Sequence, residues 1–230
     1  MGKSEERPLE AEGKKEDVVS AAAPGDIGGG LSIGFATLCF CFWANSMGYC
    51  NLEGFGIAIG LVLIGFFVVY FAGGLYYLKQ GNTLSGSVFV VFAVSFGLFG
   101  GGVNFGYAFF SSIGVPFDAT IAGISFLVSG TFVLFMLPGL RYASKADFLV
   151  FAFAGIGVTS FGLASIGLSP EATNMVGGWA LFFSGICVYY SAVAGVLKTT
   201  GLNLPCGAPF FRPRPSTSPL VLGVAESVQD

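Results

Sequence analysis

The chain has no histidine among its 230 residues, and only 10% of its side chains are charged, where a soluble domain carries about 25%. Without histidine, and with no paired carboxylates inside its apolar stretches, it offers no acid–base centre for catalysis. Its 5 cysteines are scattered without metal-ligand spacing, so neither a metal nor a cofactor is expected. A net charge of −3 leaves no basic footprint for nucleic acid. What is abundant is apolar: 54% of the residues are hydrophobic, including 26 phenylalanines, alongside 36 glycines. The mean hydropathy is +0.80. A soluble fold of this size needs more polar surface than these residues supply, so the solvent they imply is a lipid bilayer.

The placement of charge divides the chain. Residues 1–27 hold 11 charged side chains and residues 199–230 hold 4, leaving 8 for the region between. Uncharged stretches run over 27–52, 54–78, 80–117, 119–140, 148–170 and 172–197. Each is long enough to cross the hydrocarbon as a helix, which takes about 20 residues. None shows the alternation of a barrel strand, and backbone amides in lipid must be satisfied internally. The expected fold is therefore an all-α integral membrane protein, a bundle of six transmembrane helices over 28–198. The charged segment 1–27 and the proline-rich segment 199–230 read as disordered tails.

The signs of the loop charges orient the bundle. Lys79, Arg141 and Lys145 fall on the side of both termini, where every other lysine and arginine also lies. The opposite connections carry Glu53, Asp118 and Glu171 and no base. The positive-inside rule places both termini in the cytoplasm, and the expected location is the cell membrane. Asp147 is assigned by this division to the loop before the fifth helix.

Within the spans, glycines recur at four-residue spacing: Gly30/Gly34, Gly56/Gly60, Gly97/Gly101 and Gly102/Gly106. Ser191/Gly195 is the small-residue equivalent in the last helix. Such pairs let helix backbones approach closely, within one bundle or between subunits, and their number points to a homo-oligomer. No span holds a charged residue near its middle, so no proton relay of the protein's own is expected. Ser and Thr in such helices mostly bond their own backbone. The amides of Asn45 and Asn104 are costly in lipid and favour a partner or a wet cavity. With Ser46 they are the candidate polar groups of a substrate path. Asn82 and Thr83 fit better as the cap of the third helix than as ligands.

Several segments resemble the acetate uptake transporters, the SatP/YaaH family also found in fungi. The resemblance covers roughly residues 26–211. Ile33-Gly34-Phe35 and Asn45-Ser46-Met47-Gly48-Tyr49 are similar to the family's first helix, and Gly81-Asn82-Thr83 to its most recognisable loop. Leu134-Phe135-Met136, Ala164-Ser165-Ile166-Gly167 and Gly178-Trp179 follow in the expected order. The chain departs from the pattern at the entry to the first helix, where Asp26-Ile27-Gly28-Gly29-Gly30 replaces a proline-containing signature. It departs again at Tyr77, where the family has glutamate, and at Val90-Val91-Phe92-Ala93. It resembles a divergent member. The resemblance implies a ring-shaped hexamer with a separate path through each subunit, pinched by Phe35, Phe92 and, approximately, Ala154.

The leading functional expectation is a transporter or channel for small monocarboxylates such as acetate. The acid would carry its own proton past an apolar constriction that contains no titratable side chain. Two alternatives stand beside it: a channel for small neutral amides such as urea, and a membrane scaffold or sensor that transports nothing.

Overall fold

The computed structural model describes residues 27–116, 118 and 120–211. The disorder expected of residues 1–26 and of the chain from 212 onward falls outside the described residues. Six helices are long and apolar enough to cross a membrane: α1 (Gly28–Ser46), α2 (Leu52–Lys79), α3 (Thr83–Ser112), α4 (Thr120–Met136), α5 (Lys145–Ser165) and α6 (Pro170–Lys198). No strand occurs among the described residues. The chain is a multi-pass membrane protein.

The helix ends follow from local chemistry. Gly81 takes φ +78°, a conformation that strains any residue with a Cβ, directly after α2. Its N–H donates to the Leu78 carbonyl at 3.0 Å and the next N–H, of Asn82, reaches back to Tyr77 at 3.0 Å. This paired closure satisfies carbonyls that the end of a helix leaves free. Asn82 then caps α3, its Oδ1 accepting from the Ser85 N–H at 3.1 Å, as the sequence led one to expect. Thr83 is the first residue of that helix. The Gly81-Asn82-Thr83 loop thus stops one helix and starts the next within three residues. At the opposite end, Asp118 Oδ1 accepts from the Thr120 N–H at 2.8 Å at the start of α4. Bonding to Thr120 holds that exposed carboxyl below the usual carboxylate range.

Close glycine contacts fix the order of packing. A Cβ on Gly97 would lie 2.6 Å from the Phe67 backbone, and one on Gly60 would lie 2.7 Å from that of Phe105. The Gly56/Gly60 and Gly97/Gly101 faces therefore seat α2 against α3 inside one subunit. Gly130 meets Thr159 between α4 and α5, and Gly157 meets Leu181 between α5 and α6. Gly29 meets Val196 and Gly185 meets Cys39, closing α6 onto α1. The bundle is a ring in which each helix packs on its sequence neighbours and the last returns to the first. Gly30, Gly102 and Gly195 have nothing within 4 Å of a Cβ position. Outward faces are apolar, as a lipid-facing surface must be: Val68 is 64% exposed, Val128 62% and Phe135 84%.

Two features were not expected. Between Ala93 and Gly100, α3 adopts π-helical geometry, and Ser125 on α4 donates to the Ser95 carbonyl at 3.1 Å within that stretch. Beyond α6 the described residues continue to Phe211. Residues 202–211, expected as part of a solvated tail, instead lie as a strap across the start of α5. The Ala146 N–H donates to the Cys206 carbonyl at 3.1 Å, and the Tyr190 hydroxyl to that of Pro205 at 2.9 Å. Phe210 packs edge-on against Phe148, ring centroids 5.3 Å apart. The strap thereby supplies acceptors for amides that the first turn of a helix cannot satisfy.

Candidate functional site

The ring of helices encloses a cavity of about 90 Å³. Phe35 from α1, Phe92 from α3 and Ala154 from α5 all line it, so the fold brings the three constriction candidates to one place. Phe35 and Phe92 stack with centroids 5.5 Å apart and planes 15° from parallel. Ala154 is 1% exposed, and its methyl group leaves the room that a larger side chain would fill. Val88, Phe89, Val150, Phe151 and Val188 complete an almost wholly apolar wall. Tyr70 from α2 also contributes its ring, and its hydroxyl donates to the Leu31 carbonyl at 2.8 Å.

One end of the cavity is polar. Ser32 and Ser191 line it together with Asp147, and the same two serines also border an adjoining recess of about 380 Å³. Gly28 and Gly29 at the start of α1 and Gly195 and Thr199 towards the end of α6 form the recess wall. This end is the one on which the α2–α3 loop, the α4–α5 loop and the strap lie, since Leu31 meets Gly73 and Gly207 meets Lys145 there.

Asp147 corrects an expectation. The sequence placed it in a loop and left the path without a titratable side chain, yet it sits in the first turn of α5 and faces the cavity. Ser144 caps that helix, accepting from the Asp147 N–H at 3.1 Å and donating to Asp147 Oδ2 at 2.7 Å. Ser191 donates to Asp147 Oδ1. The signal was present: a serine followed three residues later by an acid, just ahead of an apolar run, marks a helix start.

Towards the other end the bundle centre is closed by rings. Phe96 meets Phe92 edge-on at 5.2 Å and stacks on Phe126 at 4.9 Å. Phe42, two turns beyond Phe35, packs against both Phe126 and Phe161. The polar candidates Asn45, Ser46 and Asn104 do not line the cavity. Ser46 donates to the Phe42 carbonyl at 2.9 Å and Asn104 to the Gly100 carbonyl at 2.6 Å, each one turn back in its own helix. Asn45 Oδ1 is buried without a hydrogen-bond partner among the described residues, a state that costs about 1–3 kcal/mol. Gly81, Asn82 and Thr83 lie at the surface, in the helix-ending role described above.

No family model matches the chain, and no curated protein matches it. Among solved structures it is similar to one described as the structure of the bacterial acetate channel SatP. The TM-score is 0.64 and the identity 22%, over 80% of this chain and 100% of that one. The two share a fold.

Proposed function

We propose that this chain, built on the fold of an acetate channel, carries small monocarboxylic acids such as acetate across a membrane, each crossing with its own proton. The supporting observation is the cavity between Phe35, Phe92 and Ala154. An apolar protein cavity of about 150 Å³ accommodates benzene. By proportion, 90 Å³ holds roughly four heavy atoms, which is the size of acetate. An anion leaving water for such a wall loses several kcal/mol of hydration, whereas the neutral acid loses far less. Phe96, Phe126 and Phe42 close the far side in this conformation, so passage requires those rings to move.

The working unit in this reading is a homo-oligomer, a hexamer, with one path through each subunit, in the cell membrane with both termini cytoplasmic. Gly30, Gly65 and Gly102, where a Cβ would meet nothing within 4 Å among the described residues, are small-residue positions open to contacts between copies. Uptake of labelled acetate into proteoliposomes tests the proposal, with labelled urea run in parallel. Acetate uptake that rises as external pH falls towards the acid's pKa supports it. Uptake of urea alone replaces it with the neutral-amide channel, and uptake of neither leaves the scaffold reading.

A further inference from the structure

Asp147 takes no part in the passage of the acid as proposed, although its carboxylate stands where the recess meets the cavity. Ser32 and Ser191 border both spaces, and Asp147 is held against Ser191, so a solute moving between the two passes these three side chains. Neither lining includes a lysine or arginine to balance the charge. Of the surrounding elements, α1, α3 and α6 present only apolar groups and the two serine hydroxyls to the cavity, and α2 presents Tyr70. Lys145, two residues away, is turned towards the strap, its Nζ 5.4 Å from the Phe210 ring centroid. Ser144 and Ser191 each donate to one carboxylate oxygen, which fixes the group's position and leaves its formal charge uncompensated.

We infer that Asp147 is the charge filter of the path: its carboxylate turns back monocarboxylate anions at the cavity mouth and admits the neutral acid, keeping transport electroneutral. The inference rests on the monocarboxylate reading and adds to it the form of the substrate and the residue that selects it. Like charges at close range repel, while a protonated acid meets in Ser32, Ser191 and Asp147 only hydrogen-bonding partners. An apolar constriction alone also disfavours an anion. The two effects separate because only one disappears when Asp147 becomes neutral.

The experiment uses the full chain in proteoliposomes, with acetate as the probe and two readouts, labelled uptake and acetate-driven current. The wild-type protein is expected to take up acetate without current, uptake falling about tenfold per pH unit above the acid's own pKa as the neutral fraction falls. Asp147→Asn, which keeps an acceptor oxygen for one of the two serines and turns an N–H to the other, should produce an acetate current and a slope below about threefold per pH unit. Asp147→Glu should remain without current, and so should Ser191→Ala, which retains the charge. An Asp147→Asn protein with unchanged slope and no current overturns the inference while leaving the transport reading standing. Current through the wild-type protein at neutral pH overturns it without recourse to any variant. Absence of acetate uptake by the wild-type protein at every pH overturns the transport reading itself.

Discussion

The rings of Phe35 and Phe92 lie face to face across two helices, 5.5 Å between centroids, each also forming part of the cavity wall. Phe35 is half-buried and Phe92 is 8% exposed, so Phe92 is the more closely backed by packed neighbours. Replacing Phe35 by alanine should enlarge the cavity towards α1 and admit acids longer than acetate. The cost in stability should be below the 3–5 kcal/mol typical of a fully buried phenylalanine, since a cavity is already there. Competition of acetate uptake by butyrate, together with thermal unfolding, measures both; unchanged selectivity would remove Phe35 from the constriction.

Ala154 gives the opposite test. A leucine there adds three carbons to a wall that encloses about 90 Å³. Acetate uptake should fall at least tenfold while the protein still inserts, with overpacking costing about 1–3 kcal/mol. Normal uptake by a well-folded Ala154→Leu protein would place the path elsewhere.

Two glycines on one helix should behave differently. Gly97→Ala puts a methyl 2.6 Å from the Phe67 backbone, so α2 and α3 must separate and the protein should lose stability. Gly102→Ala meets nothing within 4 Å among the described residues and should leave folding intact. If Gly102 faces a second copy, the substitution should instead reduce the mass measured in mild detergent. Equal effects on unfolding would contradict the packing described for α3.

Tyr70→Phe removes one buried hydrogen bond, to the Leu31 carbonyl at 2.8 Å. That carbonyl belongs to α1, and the ring keeps its place in the cavity wall. The loss should be about 0.5–1.5 kcal/mol, read as a small drop in melting temperature, with acetate selectivity unaltered.

Residues 53 and 79 stand near opposite ends of α2. In a cysteine-free background, Glu53→Cys should react with an impermeant reagent from outside the cell and Lys79→Cys only from the cytoplasm. Labelling of both from one side would end the assignment of the termini to the cytoplasm.

The six spans were legible because charge is so scarce: Glu53, Lys79 and Asp118 each interrupt long apolar runs, and the interruptions fall at or close to helix ends. The same reasoning misplaced Asp147, because treating a charge as a boundary hides an acid used inside a helix's first turn. Asn82 was readable as a cap from its residue type, whereas Gly81 stood out only through the family resemblance. The gathering of Phe35, Phe92 and Ala154 around one cavity depends on three helices meeting, and composition could not have selected those residues from among so many similar ones. Asn45 and Asn104 were singled out by the cost of burying an amide, but Asn104 meets that cost within its own helix. The docking of residues 202–211 depends on amides at the start of α5, far away in sequence. Prolines such as Pro205 lack an N–H yet still offer a carbonyl, which is what that helix end requires.

The π-helical stretch of α3 sets the rotational phase of everything before it. Each residue of an α-helix advances about 100° around the axis, and a π turn accommodates one residue more than an α turn. Rewinding Ala93–Gly100 into continuous α-helix with no residue removed would turn Phe92 roughly 100° away from Phe35, whereas removing one residue along with the rewinding would keep the phase. The Phe35–Phe92 stack is therefore encoded in the angular register of a helix as well as in its side chains. In the proposed path, a change between the two windings would act as a rotating shutter acts on light.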